Sequence, residues 1–564
     1  MFILIFLLAV AVLLPILNPL LWPHTHEDMR FIFLMDQFKE AAMQGHFYPR
    51  WLPDLCGGYG YPTFVFYPPA FFYFALPFSL LPGYPVGTMH WALLALLFIG
   101  AAGVYQLGRE ISDKITGLFL AALFLLTPYL YVNLYVRGAL SELTAMLLTP
   151  WPIFFLLKFK KSIESSKASW LYGLGIALSI CLLILSHPAT TLFYVPIFGI
   201  LALFIAPVSK PLKWQFYLGI FCFVLTGFLL ASPYWRPLIL MKQYVNFSLA
   251  VTGPYSAELH TVDFLQFFKR DWGFGISTRG DSNDLMSFQL GLPHFIFATA
   301  GAILGRKNKL IITSYVLYIA LIVFMTPLFS YVWENAQILR FVQFPWRILS
   351  VTAILQIICA TGISYAKWPS KTVHRVLAIF ILVVLSGLWH SNQFKIDSKR
   401  LDAPAEFQIY KERTLQKFYT LTQSNEYIPV TVKTLEFYPR GSKSLVEAEQ
   451  GVDLTEAVDS NSYHIKFDAE CSAPSTALIN QFYLKGWVVK VDSKELSGDE
   501  LRQNLTTAGC MRIPLSSGKH TLEAYYDKPD GWQLYYIFVG LGIFALVALF
   551  YFFNFKIRKL SHEI

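Results

Sequence analysis

Apolar residues run in blocks long enough to cross a bilayer, separated by short polar turns, along most of the chain. A crossing helix takes about twenty such residues. The first block, Phe2 to Trp22, has that length, and with no basic leader or small-residue cleavage site it reads as a retained helix. The apolar piece from Thr63 to Leu81 is cut by Pro68, Pro69 and Pro77, which places it in the outer interface or as a re-entrant segment. Leaving it out of the count brings the basic residues of the short loops to one side. These are Arg109 and Lys114; Lys158, Lys160, Lys161 and Lys167; Lys210 and Lys213; Arg306, Lys307 and Lys309; Lys367, Lys371 and Arg375; and the terminal run KIRK. Basic loops mark the cytoplasmic side, so the pattern predicts about twelve spans with both termini inside.

The period changes after residue 390. Segments such as YIPVTVKT, SYHIKFD, GWVVKVD and HTLEAYY alternate polar with apolar residues between clusters of Gly, Ser, Asp and Asn. Alternation of that kind predicts half-buried strands, here arranged as a sandwich. The fold class is therefore an α-helical polytopic membrane protein with a C-terminal extracytoplasmic β-rich domain and a final transmembrane helix. The predicted boundaries are 1–390 for the membrane domain, 391–531 for the β-rich domain and 532–564 for the last helix and its basic tail. Within the membrane domain, outer loops are expected at 23–85 and 232–293.

Composition agrees with this and narrows the function. Of 564 residues 55% are hydrophobic and only 14% charged, which excludes a single soluble core. The net charge of +9 then reports topology, not a nucleic-acid partner. The six cysteines are dispersed; Cys471 and Cys510 alone share the predicted soluble domain, where one bridge is an open option. No Walker-type phosphate loop and no solenoid repeat occurs, so ATP-driven transport has no support.

The candidate chemistry lies on the outer side, most densely from His24 to Pro69. Phe31, Leu34, Phe38, Ala41 and Ala42 recur at helical spacing between Glu27 and Gly45, predicting an amphipathic helix on the membrane surface. Thr25-His26-Glu27-Asp28 fits a capping box, with acids complementing the helix dipole. The same position suits Asp28 as a general base, since a carboxylate held at a rigid helix start can take a proton from an incoming hydroxyl. His24, His26, Glu27 and Asp28 are too close in sequence to converge easily on a divalent ion, and no resident metal is read from them.

HEDM after the first span, GHFYPRW, the glycines of DLCGGYGYP and the FVFYPP segment resemble the GT-C superfamily of integral-membrane glycosyltransferases. The nearer resemblance is to the membrane family labelled pyruvoyl-tetrahydropterin synthase-related and to relatives that glycosylate envelope polymers. The likeness continues at RGALSE, SHPAT, QFPWRIL, NEYIP, FYLKGWVVKVDSKEL and IPLSSGKHTLEAYY. It implies transfer of a sugar from a polyprenyl-phosphate carrier to a glycan, lipid or protein acceptor on the extracytoplasmic face of the cytoplasmic membrane. It also implies Asp28 as the acidic residue of the first outer loop that acts as base or orients the acceptor, with Glu27 as a further acid.

A lipid-phosphate leaving group gains negative charge in the transition state, so fixed cations at the outer interface stabilise it. Arg137, Arg340 and Arg347 hold such positions, and guanidinium suits bidentate phosphate contact. Each reads equally as an arginine reaching for lipid headgroups, and Arg137 with Glu142 also reads as a structural pair across a tight turn. His26, Arg50, Trp51, Asp54 and His187 are candidates for substrate contact. Trp51 reads also as part of an aromatic belt with Tyr48, and His187, beside a proline at the end of a span, as a structural histidine. No cofactor is required, and a divalent ion stays open. The competing class is a flippase for a lipid-linked saccharide, which calls for ionisable residues at mid-membrane and for repeat symmetry. Most predicted spans carry no charge through their centres.

Overall fold

The computed structural model describes residues 1–18, 20–165, 170–207, 209–366, 372–395, 403–416, 425–433, 445–448, 451–457, 460–527 and 533–553. Among them, seven helices are long and apolar enough to cross a membrane. They are Val86–Ile111, Leu140–Glu164, Pro188–Ile205, Lys210–Leu230, Pro345–Tyr365, Thr372–Trp389 and Leu534–Tyr551. Two bent pairs are also long and apolar enough when taken together, as broken spans or re-entrant loops: Lys114–Leu125 with Pro128–Arg137 at 46° and Lys309–Phe324 with Pro327–Asn335 at 76°. A proline opens the second half of each pair, where its missing N–H costs nothing at a new helix start but ends the old hydrogen-bond ladder. Shorter apolar helices at Phe2–Val12, Trp170–Ser186 and Leu292–Leu304 fall where the remaining spans are expected. The proline-cut segment after Thr63 forms three short pieces, Thr63–Phe66, Ala70–Ala75 and Leu76–Leu80, none of spanning length.

Burial sorts these helices by neighbour. Pro345–Tyr365 is enclosed on almost every side, whereas Thr372–Trp389 and Leu534–Tyr551 turn nearly all their apolar side chains outward, as lipid-facing helices do. Close crossings are made with glycine. A Cβ on Gly362 would stand 1.9 Å from the carbonyl oxygen of Gly301, so that contact admits only hydrogen. The basic loops assigned to one side meet there: Lys161 and Lys158 lie 2.7 and 3.6 Å from Glu110.

The first outer loop differs from expectation in two ways. Its helix runs from Arg30 to Met43 with Met29 before it and no side-chain cap, so the capping box does not form. Residues 26–29 make a turn in which the His26 and Glu27 amides bond instead to the carbonyls of Val136 and Arg137, at 2.9 and 3.1 Å. The helix is also covered by protein and does not lie on the bilayer. Phe31 packs on Phe71 and Phe72, Phe33 on Tyr410, and Asp36 is held by Lys411 at 2.6 Å and by the Tyr84 hydroxyl at 2.5 Å. The cover is a helix at Ala403–Gln416, whose Ala403 amide bonds to the Leu20 carbonyl.

Among the described residues eight strands follow: β1 Val446–Ala448, β2 Val452–Glu456, β3 His464–Cys471, β4 Ser475–Phe482, β5 Trp487–Val491, β6 Lys494–Glu495, β7 Cys510–Leu515 and β8 Gly518–Tyr526. They form two antiparallel sheets, ordered β1-β4-β7 and β2-β3-β8-β5-β6. Alternate residues point inward, and Ile465, Phe467, Ile479, Ile513 and Leu522 are buried there. Cys471 and Cys510 lie in different sheets and both are free thiols.

The sandwich is fastened to the first outer loop through Trp51. Its indole nitrogen donates to Gln481 Oε1 at 2.7 Å, and its rings stack on Tyr526 and meet Trp487 edge-on. The Gln481 amide in turn donates to the carbonyls of Pro53 and Gly58. Removing this side chain leaves a large cavity and an unanswered buried amide. Trp51→Ala is therefore expected to cost about 3–5 kcal/mol, measured as a lower melting temperature together with faster protease cleavage between the membrane domain and the sandwich.

Candidate active site

The site is assembled where the first outer loop meets the bent span ending at Arg137. Gly138, at φ +68°, permits the approach, since a Cβ there would lie 2.4 Å from the Thr25 hydroxyl. The turn it receives carries Glu27 and Asp28. Asp28 itself has φ +48°, a left-handed conformation that aspartate tolerates better than most residues and that ends the turn before the helix begins. Glu27 pairs with Arg30 at 2.6 Å, and the Arg30 guanidinium sits 5.2 Å from the Tyr67 ring centre. Burial raises the Tyr67 hydroxyl above its ordinary pKa, so it is present as a donor.

Beneath the turn lies a buried polar cluster organised by Glu142. Its Oε2 accepts from Arg137 at 2.7 Å and stands 3.5 Å from Arg347 Nε and 3.8 Å from His187 Nε2. Its Oε1 accepts from the Tyr129 hydroxyl at 2.5 Å. Arg137 also donates to Asn133 at 2.5 Å and lies over the Trp346 ring. Tyr129, Asn133 and Arg137 recur at four-residue intervals, which places them on one helical face. The bond between Arg137 and Glu142 is the pair across the turn that the sequence suggested, but here it is one edge of a larger network.

Arg347 and His187 are fixed by their own helices. Arg347 gives Nη1 to the Val342 carbonyl and to Gln343 Oε1, at 2.9 and 2.8 Å. His187 precedes the helix Pro188–Ile205, and its Nδ1 accepts from the Thr190 amide at 3.2 Å. That acceptor role assigns the ring proton to Nε2, facing Glu142. The long outer loop is tied to the same region twice, by His26 Nε2 donating to the Phe274 carbonyl and by Gln343 donating to the Ala250 carbonyl.

Two guanidiniums therefore share one carboxylate, and the cluster keeps an excess positive charge in a poorly solvated place. Behind it the helices line an apolar cavity with an empty volume of about 890 Å³, bordered among others by Phe74, Leu96, Trp151, Leu178 and Leu182. Thr144 and Ser186 also line it, two residues after Glu142 and one before His187.

The other candidates fall elsewhere. Arg340 is exposed and turns back onto the Glu334 carbonyl, outside the cluster. Arg50 stacks on Tyr48 at 3.7 Å and donates to the Pro233 carbonyl, and Trp51 is the interdomain anchor, so neither lines a sugar pocket with Asp28. Asp54 precedes the short helical turn Leu55–Gly58 and acts electrostatically on Glu40 and Tyr463, away from the Glu142 cluster. Among the described residues no three His, Cys, Asp or Glu side chains gather in a metal-binding group, and His24, His26, Glu27 and Asp28 do not converge.

Sequence reasoning missed Glu142 as the hub, and it missed Tyr427. That tyrosine belongs to a strap, residues 425–433, and it stacks on Phe66 with centroids 4.8 Å apart; its hydroxyl is electrostatically sensitive to Arg30 and Arg347. NEYIP was visible as a motif, but nothing local indicated that it returns to the first loop.

No protein-family model and no curated protein matches the sequence. Solved structures resemble the fold. The mycobacterial arabinofuranosyltransferase AftD matches over 71% of this chain and 28% of its own, at 16% identity and a TM-score of 0.42. The oligosaccharyltransferase of Archaeoglobus fulgidus matches over 77% and 61%, at 14% identity and a TM-score of 0.43. ArnT from Cupriavidus metallidurans, solved bound to undecaprenyl phosphate, matches over 72% and 68%, at 13% identity and a TM-score of 0.41. This chain thus spans under a third of the first and about three fifths of the second.

Proposed function

We propose that this multi-pass membrane protein is a GT-C-like glycosyltransferase that moves a sugar from a polyprenyl-phosphate carrier to an acceptor at the outer face of the cytoplasmic membrane. One observation carries the reading: a buried cluster with two guanidiniums for one carboxylate stands at the end of an apolar cavity between membrane helices. An apolar chain with an anionic head fits that combination, and few other metabolites do. The sequence motifs of the first outer loop support the same class.

In this reading the acceptor hydroxyl attacks the anomeric carbon and gives its proton to Asp28. The bond from that carbon to the carrier phosphate breaks, and the phosphate leaves with the electron pair. Arg137 and Arg347 stabilise the growing charge, while Glu142 and Gln343 hold the guanidiniums in place so that little reorganisation is needed. His187, with its Nε2 proton facing Glu142, orients that carboxylate.

The test is a transfer assay in nanodiscs with a panel of polyprenyl-phosphate sugars, following donor consumption and carrier-phosphate release. Ser179 lines the cavity, and Ser179→Phe fills part of it. This variant is expected to raise KM for long-chain donors by about tenfold or more while sparing those with short prenyl chains. Movement of an intact lipid-linked sugar across a vesicle membrane, with no donor consumed, would replace the transferase by a flippase.

A further inference from the structure

The helices on either side of one basic turn are short for a bilayer. Leu292–Leu304 has 13 residues and Lys309–Phe324 has 16, lengths of about 20 and 24 Å against a hydrocarbon core of about 30 Å. Arg306, Lys307 and Lys309, at the turn that joins them, hold that end among the headgroups. The shortfall therefore lies at the opposite end, where Pro327–Asn335 leaves the second helix at 76° and rises only about 3 Å further. We propose that the platform at this end, residues 327–341 with the loop around Leu265, is sunk into the hydrocarbon of that leaflet, so that its partner is lipid tails.

The side chains fit such a depth. Leu328, Tyr331, Ile338 and Leu265 are between 59 and 77% exposed, more apolar surface than one water-facing loop ordinarily shows. Trp333, on the same short helix, points the other way: it is fully buried and packs on Phe324 and Phe193. Leu265 belongs beside the other short helix, because the Leu290 amide bonds to the Phe267 carbonyl at 2.9 Å and Phe268 meets Phe295 edge-on.

The backbone fits it independently. Where the helix breaks, every carbonyl from Val323 to Thr326 is answered within the protein. Val323 accepts from the Thr326 amide and hydroxyl at 3.1 and 2.7 Å, Phe324 from the Trp333 indole at 2.8 Å, Met325 from the Val262 amide at 2.9 Å and Thr326 from the Phe329 amide at 3.1 Å. At the end of the short helix, the Tyr331 carbonyl accepts from Asn335 and the Glu334 carbonyl from Arg340, both at 2.9 Å. A loop in water has no need of such closure, whereas irregular backbone at membrane depth requires it. The platform runs on into Gln343 and Arg347, which are bonded to each other. Where the transferase reading holds, a lipid-borne substrate therefore meets the Glu142 cluster from the side, with its chain still among the tails.

The test places single nitroxides on the full chain in phosphatidylcholine nanodiscs, through Leu328→Cys, Tyr331→Cys and Ile338→Cys. Lys519→Cys, on the sandwich, is the aqueous control, and wild-type protein treated alike gives the background of the native cysteines. Dissolved oxygen, which concentrates in hydrocarbon, should relax the three platform labels more than a water-soluble nickel complex does, and the order should reverse at 519. Before spin labelling, a charged maleimide should modify the platform thiols at least about tenfold more slowly than the thiol at 519, because reagent and thiolate both lose hydration in lipid. Stronger relaxation by nickel at the platform overturns the proposal, since the face then lies in water. A label that neither agent reaches also overturns it, because protein then covers the face. Depth is read without turnover, so its failure leaves the transferase reading untouched, and a protein that transfers nothing leaves the sunken platform standing.

Discussion

Asp28→Asn is expected to lower sugar transfer by about 10²–10⁴-fold, the range supplied by a positioned general base, while the protein remains folded and still binds donor. Asparagine suits this exchange because residue 28 sits at φ +48°, where Asp and Asn are the non-glycine residues best able to rest. The turn and its amide bonds to the Val136 and Arg137 carbonyls therefore survive. Single-turnover transfer and thermal melting read the two effects separately. Asp28→Val provides the contrast, since a β-branched side chain strains the left-handed turn and should lower both activity and melting temperature. If Asp28→Asn transfers sugar at the wild-type rate, Asp28 is not the base.

A large effect on stability is expected at Glu142. Glu142→Gln leaves Arg137 and Arg347 close together in a buried place without the carboxylate they share, and such a loss costs about 3–5 kcal/mol. The sign follows from geometry: Glu142 Oε2 is the common neighbour of both guanidiniums, and its side chain is 1% exposed. Expression and melting in detergent should both fall sharply. Adding Arg137→Met should recover much of the loss by restoring the charge balance, and the double-mutant cycle reports the coupling directly. Activity should not return if, as proposed, Arg137 is one of the two cations that face the carrier phosphate.

Much of the architecture was readable from pattern alone, because hydropathy and the distribution of Lys and Arg depend on the solvent around each segment and not on distant contacts. The arginines show where this stops. Arg137 and Arg347 stand beside helix ends that enter the cluster, and their roles could be framed locally. Arg340 shared the same local signature, yet its guanidinium turns to the Glu334 carbonyl. The first-loop helix was read as lying on the membrane because Asp36, Lys39 and Glu40 formed a polar face. That face is covered by Ala403–Gln416, which no local period reveals. Trp51 was misread for the same reason, since its partner Gln481 is 430 residues further on. The capping box failed because pairing of the His26 and Glu27 amides with Val136 and Arg137 holds this stretch as a turn, in which the Asp28 amide bonds to the Thr25 carbonyl instead.

Lys411 is 375 positions after Asp36. A ribosome adding about 5–20 residues per second needs roughly 20–75 seconds to cover that interval. Throughout that time the newborn amino-terminal part waits with Asp36 lacking Lys411, Phe33 lacking Tyr410 and Trp51 lacking Gln481. Its assembly is consequently among the last events of biogenesis, and translation halted before residue 403 yields inserted helices without a finished outer face.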